Sequence, residues 1–215
     1  MKIVQISGKG RVGKTTLANL IGKYAFELGY HVAMIPFAKG IKDLAKEQGI
    51  TKEMDSSAYR DFCQELGARK REEDPDYWVS RAYNSIEECM IKEIENKKAG
   101  KPCWQYVIIQ DDVRYMNELA FGRDLSAFSI CLLHANRELP EANAEWRKHE
   151  SETLANEVEA KPLNYADLFD IFIGNTGTIQ DLEDIVKEDL EDWLDSGHIE
   201  LDFVDDNEET NNSDS

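Results

Sequence analysis

One stretch of the sequence, GKGRVGKT (8–15), constrains the fold of this chain more than any other. The short apolar run KIVQI (2–6) precedes it and is typical of a buried parallel strand. After it, apolar residues recur at helical spacing from Leu17 until Gly29 ends the pattern. A G-x-x-x-x-G-K-T motif between a strand and a helix predicts a phosphate-binding loop, or P-loop.

The residue types of this loop suit ATP and Mg²⁺. Glycines let backbone N–H groups approach a phosphate closely, and the following helix adds the positive end of its dipole. We expect Lys14 at the β- and γ-phosphates of ATP and the Thr15 hydroxyl on Mg²⁺. The predicted ATP contacts in the loop are Gly8, Gly10, Arg11, Val12, Gly13, Lys14, Thr15 and Thr16.

Lys9 gives the same loop a second interpretation. K-G-R-V-G-K-T (9–15) differs by one letter from the K-G-G-x-G-K-T loop of the partition and division-site ATPases, in which the early lysine reaches across a dimer. Arg11 stands where that pattern has its second glycine. The loop alone therefore leaves open a dimeric switch ATPase and a kinase in which Lys9 faces solvent.

Composition and charge make several functions unfavourable. The chain has 215 residues, of which 41% are hydrophobic, and a net charge of -18. A nucleic-acid partner is not expected, because it requires clustered basic surface. A membrane partner is not expected either, because no apolar run approaches the roughly 20 residues that span a bilayer. The four cysteines show no zinc-binding spacing, and no signal peptide precedes the first strand, so we expect a cytoplasmic protein with reduced thiols.

Further apolar and helical segments alternate along the chain. Strands are predicted at 31–37, 104–110, 126–133 and 170–173. Helices are predicted at 39–48, at 56–68, from residue 76 towards Gly100, and at 178–194. This alternation implies parallel crossovers and a doubly wound α/β sheet with helices on both faces.

The predicted organisation is one domain, residues 1–197, followed by a short tail. Within the domain, the polar stretch at about 135–165 lies between two strands and is predicted to be a lid. Residues 198–215 are acidic, and the last eleven contain neither an apolar residue nor a positive charge. This composition predicts a disordered tail.

A pair of carboxylates follows the third predicted strand, in YVIIQDDVR (106–114). An apolar strand that ends in Asp–Asp beside a phosphate-binding loop is typical of a magnesium-binding carboxylate. Asp112 is the predicted ligand, with Asp111 as the second choice. The alternative is that the Asp caps the helix that follows.

Motifs beyond the loop resemble the deoxynucleoside monophosphate kinases of bacteriophages and, more distantly, phosphomevalonate kinase. They are QELGARKREEDPDYWV (64–79), IIQDDVRYMNE (108–118), HESE (149–152) and DIFIGNTGTIQDL (170–182). They follow the family patterns L-G-x-x-x-R-x-x-D-P-x-x-W, D-x-R-x-x-N-E, H-x-S-E and I-x-N-x-G-T-x-x-x-L, in family order, over residues 1 to about 195. In H-x-S-E, Glu150 stands where proline is common.

The resemblance implies an activity, a fold and a cellular site. The activity is transfer of the ATP γ-phosphoryl group to a deoxynucleoside 5′-monophosphate (dNMP), giving ADP and the diphosphate. The fold is a three-layer P-loop sandwich around a five-stranded parallel sheet with order 2-3-1-4-5. The implied location in the cell is the cytoplasm, which is that of the host if the protein is encoded by a phage.

Phosphoryl transfer of this kind requires cations on both sides of the transferred group, because both reactants are anionic. On the acceptor side the predicted cations are Lys42, Arg60, Arg71 and Arg114, for which a solvated surface position is the alternative. Trp78 is a predicted stacking partner for the acceptor base, although its place on an apolar helical stripe favours the core. Lys14, Asp112 and Arg114 are the predicted catalytic residues.

The lid and the last strand supply further predictions. Arg137, and less strongly Arg147 and Lys148, are expected to close over the ATP phosphates. Ser151 and Glu152 belong to the H-x-S-E motif but are also residue types that start a helix. Asn175 and Gly177 are expected near the adenine, with a turn glycine as the alternative for Gly177.

Two alternatives stay open at this point. A partition-type switch ATPase has no use for the arginine segment before DPDYW or for H-x-S-E. A P-loop kinase that acts on another phosphorylated small molecule, as phosphomevalonate kinase does, is the other alternative, and the sequence does not exclude it. The base preference of the enzyme and a homodimeric state are not specified by the sequence.

Overall fold

A parallel five-stranded sheet forms the centre of the computed structural model, which describes residues 1–51, 53, 56–101, 105–134, 149–175 and 178–195. The strands are β1 (Lys2–Ser7), β2 (His31–Met34), β3 (Tyr106–Val113), β4 (Phe128–His134) and β5 (Ile171–Asn175). Each neighbouring pair is parallel, and the order is β2-β3-β1-β4-β5. The predicted order 2-3-1-4-5 is confirmed.

Helices connect these strands. They are α1 (Lys14–Glu27), α2 (Lys39–Glu47), α3 (Ser56–Glu73), α4 (Tyr77–Lys98), α5 (Met116–Asp124), α6 (Thr153–Ala160) and α7 (Ile179–Asp195). Short 3-10 helices occupy Glu150–Glu152 and Pro162–Leu168. The third helix is longer than predicted, because it continues past residue 68 to Glu73 and so carries Arg71 on a regular helix.

Both faces of the sheet are covered, since successive side chains of a strand point to opposite sides. Val4 and Ile109 belong to a core cluster formed with α1 and α7. Ile3 and Ile108 belong to a second cluster, formed with α4, α5 and α6. Each fully buried aliphatic side chain of this kind contributes roughly 1.5–3 kcal/mol. The arrangement is the predicted three-layer α/β sandwich.

Buried amides tie the centre of the sheet to α5. Gln5 is fully buried, and its Nε2 donates to Gln110 Oε1 at 2.9 Å and to the carbonyl of Glu118 at 2.8 Å. A Cβ on Gly122 would lie 2.0 Å from Gln5 Oε1, so only glycine fits there without a shift. This packing fixes the first turn of α5 close to the carboxyl end of β3.

The third strand runs further than predicted. It includes Asp111 and Asp112 and ends at Val113, which pairs with Ser7 after a shift in register between Gln5 and Ser7. The Ser7 hydroxyl donates to the carbonyl of Val113 at 3.2 Å. The carboxylates therefore lie within the strand, at the edge of the sheet where the phosphate-binding loop begins.

Only part of the predicted lid lies among the described residues. Residues 149–165 pack onto the sheet, where Leu154 and Val158 belong to the core. The segment 135–148, with Arg137, Arg147 and Lys148, lies outside the described residues, as do Gly177 and the predicted tail. Among the described helices, none combines the length and apolarity required to cross a membrane.

Candidate active site

The glycines of the phosphate-binding loop are required by its geometry. Gly8 has a φ of 140°, and a Cβ on it would lie 2.3 Å from the carbonyl oxygen of Leu132. Gly13 has a φ of 107°, and a Cβ there would lie 2.8 Å from Asn175 Nδ2. Backbone conformations with positive φ and such close contacts exclude residues with side chains.

Arg11 adopts a left-handed conformation without being a glycine. Its φ is 65°, at the position where the partition-type pattern has its second glycine. This conformation costs a residue with a Cβ roughly 1–2 kcal/mol. Arg11 also lines the cavity beside the loop, and strained residues of this kind are common at ligand-binding positions.

Lys14 lies at the centre of the loop. Its Nζ donates to the carbonyls of Gly8 at 2.6 Å and Lys9 at 2.8 Å. Burial, followed by the like charge of Arg114, lowers the pKa of Lys14 to about 8, and Glu152 acts in the opposite direction. The ammonium group is thus held inside the loop, at the position where a phosphate-binding lysine is expected.

The two aspartates of β3 have different partners. Thr15 Oγ1 donates to Asp111 Oδ2 at 2.8 Å, in a position open to solvent. Asp112 instead accepts the backbone N–H groups of Phe37 and Ala38, each at 2.8 Å. Burial raises the pKa of Asp112, which holds the β2–α2 connection from β3 and does not cap the helix that follows it.

These contacts favour Asp111, the second choice from the sequence, over Asp112 as the carboxylate beside the Thr15 hydroxyl. Adjacent strand residues point in opposite directions, and the carboxylate in contact with Thr15 is that of Asp111, whereas Asp112 is bound by the backbone N–H groups of Phe37 and Ala38. A hydroxyl and a carboxylate in contact suit Mg²⁺, which keeps several waters and is completed by substrate phosphates. Among the described residues, no group of three or more His, Cys, Asp or Glu side chains is arranged to hold a metal ion.

A cavity of about 930 Å³ opens beside the loop. Gly10 and Arg11 of the loop form part of its wall. All of the predicted acceptor cations line it, namely Lys42, Arg60, Arg71 and Arg114. Residues that are far apart in the sequence are thus brought together around a single space.

Arg71 is held on two sides. Its guanidinium carbon lies 3.9 Å from the centre of the Tyr115 ring, and its Nη2 donates to Glu118 Oε1 at 3.2 Å. Glu118 is almost fully buried and also accepts the backbone N–H of Arg114 at 2.7 Å. Burial, and then the negative charge of Asp112, raises the pKa of Glu118 to about 7.

Arg114 is linked to the loop through Glu152. The guanidinium donates to Glu152 Oε1 and, at 3.4 Å, to the carbonyl of Ser151. The other carboxylate oxygen of Glu152 accepts the N–H of Gly10 at 2.9 Å. The H-x-S-E and D-x-R motifs therefore meet at the phosphate-binding loop.

Lys9 does not face solvent, as it was expected to do in a kinase. Its ammonium group forms an ion pair with Glu159 of α6, and both side chains are about three-quarters buried, with exposures of 23% and 24%. The partner lies in the same chain, about 150 residues further along. The loop is thus joined to the segment that begins at His149 by Glu159 as well as by Glu152.

Trp78 does not line the cavity, in contrast to the predicted role in binding the acceptor base. It is 1% exposed and packs with Ile41 and Leu66, while its Nε1 donates to the carbonyl of Gly67 at 3.2 Å. The apolar stripe of α4 places this ring in the core, because a large ring gains more from burial than from a position at a cavity wall.

Other motif residues shape the site without facing the cavity. Asn117 Nδ2 donates to the carbonyl of Pro75 and to Asp76 Oδ1, each at 2.9 Å, which ties the D-P-D turn to α5. Asn175 was predicted to contact adenine. In the structure its amide donates to the carbonyl of Val12 at 2.8 Å and supports the loop.

Sequence reasoning gave no role to Glu118, Tyr115 or Glu159. Glu118 ends the D-x-R-x-x-N-E pattern, so its place in the motif was the available signal. Nothing local marks Tyr115 or Glu159, because their contacts with Arg71 and Lys9 depend on the tertiary fold.

The strand order, the loop between β1 and α1 and the helices on both faces define the P-loop α/β class. No family model and no curated protein matches the chain. The solved structures that match include the dephospho-CoA kinase from Campylobacter jejuni. It is 14% identical, covers 90% of this chain and 98% of its own, and gives a TM-score of 0.45. The name dephospho-CoA kinase describes that bacterial enzyme.

Proposed function

We propose that the protein transfers the γ-phosphoryl group of ATP to the phosphate of a deoxynucleoside 5′-monophosphate in a magnesium-dependent reaction. One observation carries this proposal: the phosphate-binding loop and all of the predicted acceptor cations border the same cavity. Two anionic reactants can be held next to each other only where cations face both of them.

The donor side consists of the loop and β3. Backbone N–H groups of the loop and Lys14 bind the ATP phosphates, and Thr15 with Asp111 holds the metal. Mg²⁺, when bound, neutralises charge on the β- and γ-phosphates. Asp112 supports the site by fixing the β2–α2 connection.

The acceptor side consists of α2, α3 and the end of β3. Arg71 and Arg114 are placed to bind the acceptor phosphate, for which paired guanidinium donors are well suited. An oxygen of that phosphate attacks the γ-phosphorus in line, the bond to the β-phosphate bridging oxygen breaks, and ADP leaves. The protein supplies no covalent nucleophile.

One face of α3 favours a nucleotide as the acceptor. Arg60, Gln64, Gly67 and Arg71 follow each other at helical spacing, and all of them line the cavity. Gln64 lies two turns from Arg71, which is about 10.5 Å along the axis. The amide of Gln64 can both donate and accept hydrogen bonds, which suits the edge of a base. Its distance from Arg71 leaves room for a sugar between the base and the phosphate.

The contacts of Lys9 disfavour the switch ATPase. A lysine that reaches across a dimer has to extend away from its own chain, whereas Lys9 is paired with Glu159 of the same chain. The ion pair assigns Lys9 to the packing of the loop against α6.

The direct test is ADP release, measured with a coupled assay over a panel of dNMPs and ribonucleoside monophosphates. We expect turnover that depends on the acceptor and that Lys14→Ala removes. Deoxyribose 5-phosphate serves as an acceptor without a base and should support little turnover. If only acceptors without a base are used, the protein is a kinase of another phosphorylated small molecule; if no acceptor raises ADP release, the proposed function is wrong.

A further inference from the structure

Glu152 uses both oxygens of a buried carboxylate to join two parts of the site. The residue is 4% exposed. One oxygen accepts the N–H of Gly10 and the other accepts a guanidinium N–H of Arg114. Among the described residues, this side chain thus connects the donor loop directly to a cation of the acceptor cavity.

A simpler role for Glu152 would be to cap the start of α6, but this role does not account for its contacts with Gly10 and Arg114. Glu152 is the residue that precedes α6, and its side chain makes no capping hydrogen bond to that helix. The local turn is held instead by His149, whose Nδ1 accepts the N–H of Ser151 at 3.2 Å. The carboxylate of Glu152 is therefore directed to the loop and to Arg114.

Arg114 is fixed at both ends. Its backbone N–H is bound by Glu118, and its guanidinium is bound by Glu152 and by the carbonyl of Ser151. A free arginine side chain loses about 2 kcal/mol of rotamer entropy when it is held in one conformation. Here part of that ordering is in place before a substrate binds, at a residue that lines the cavity.

The negative charge of Glu152 also acts on two neighbouring cations. Lys14 and Arg114 are cations close enough for their like charges to interact, and Glu152 is close to both. The carboxylate of Glu152 offsets the repulsion between Lys14 and Arg114. Phosphoryl transfer needs both cations, because each binds one of two neighbouring phosphates.

From these contacts we infer that Glu152 is a positioning residue, which holds Arg114 against the phosphate-binding loop at the point of phosphoryl transfer. This role rests on the proposed function. The role of Glu152 in the reaction is exerted through Arg114. A carboxylate that instead competed with phosphate for the N–H of Gly10 would weaken ATP binding, and its removal would tighten it.

The test compares Glu152→Gln and Glu152→Asp with the wild type in turnover and in ATP affinity. Loss of the charge should lower kcat by roughly 10- to 100-fold, as for other small misplacements of a reacting geometry. ATP affinity should stay within about 2-fold, and Glu152→Asp should recover part of kcat. The matched control is Glu157→Gln, at an exposed position of α6, which should leave kcat unchanged.

A double substitution shows whether Glu152 acts through Arg114. In an Arg114→Ala background, Glu152→Gln should change kcat by less than about 2-fold, because the group that it positions is already gone. Additive losses would overturn the inference, as would ATP binding that tightens several-fold in the single variant.

A second readout does not require an acceptor. Modification of arginines by phenylglyoxal, mapped by mass spectrometry, should be several-fold faster at Arg114 in Glu152→Gln than in the wild type. Arg123, which donates to the carbonyl of Asp167, is the internal control and should not change. An unchanged rate at Arg114 refutes the positioning role alone, whereas a wild type without acceptor turnover refutes the proposed function alone.

Discussion

At the scale of single residues, the assignment of roles to the two aspartates of β3 has the clearest consequence. Asp111→Asn removes the charge beside the Thr15 hydroxyl, so the magnesium concentration needed for half-maximal turnover should rise by roughly 10-fold or more. Asp112→Asn changes the carboxylate that holds Phe37 and Ala38 and should mainly lower stability. A magnesium titration of both variants tests this assignment. If Asp112→Asn raises the required magnesium concentration more than Asp111→Asn does, Asp112 is the metal ligand.

Glu118 gives the protein a defined pH dependence. Because burial raises its pKa from 4.5 to about 7, the folded protein binds this proton more tightly than the unfolded chain. The stability from this group is therefore fully present below about pH 4.5 and is lost as the pH rises through 7.

Urea unfolding of the wild type and of Glu118→Gln at several pH values tests this sign. Relative to the variant, the wild type should lose stability between pH 5 and pH 8, since glutamine does not titrate. A constant difference over that range would show that the pKa of Glu118 is not raised.

Single residues also show where prediction from sequence stops. The glycines, Lys14 and Thr15 follow from the loop motif, because phosphate binding fixes their types and their spacing. The choice between Asp111 and Asp112 does not follow, because it depends on which side of β3 faces the loop. The partner of Lys9 is equally hidden, since Glu159 lies on a helix that reaches the loop only in the folded chain.

At the scale of secondary structure, α5 depends on a close fit against β1. Gly122→Ala places a methyl group 2.0 Å from Gln5 Oε1 and disturbs the buried amides that hold Glu118. The variant should lose about 1–3 kcal/mol of unfolding free energy, as overpacked cores do.

Urea denaturation measures this loss, with Ala120→Ser on the exposed side of the same helix as the control, expected within about 0.5 kcal/mol. Equal stability of the Gly122→Ala protein would mean that α5 can move away from β1 at little cost. Because α5 carries Glu118, such freedom would also weaken the case for a fixed Arg71.

Elements were easier to predict than their ends. Alternating apolar and helical segments gave the parallel sheet, because each crossover buries one face of a helix on the strands. The end of β3 was missed, since Asp111 and Asp112 are polar and their inclusion depends on pairing with β1. The end of α3 was missed because its last turns, which include Arg71, are strongly charged.

At the scale of the whole molecule, the motifs act as one network. Arg71 contacts Glu118, Arg114 contacts Glu152, and Glu152 contacts Gly10, so three of the four motifs beyond the loop are linked to one another, and Asn175 of the fourth contacts the loop. The chain has a net charge of -18, and the cavity is lined by six lysine and arginine residues beside five carboxylates, so anionic substrates would be attracted only at short range to the individual cations.

The central claim is that the γ-phosphoryl group goes to a nucleotide and not to water. The most direct measurement follows the label from [γ-³²P]ATP in the presence of each dNMP and separates the labelled diphosphate from inorganic phosphate. We predict labelled dNDP in an amount equal to the ADP formed, and none with Lys14→Ala. Label found only in inorganic phosphate, whichever dNMP is present, would contradict the account and indicate an ATPase.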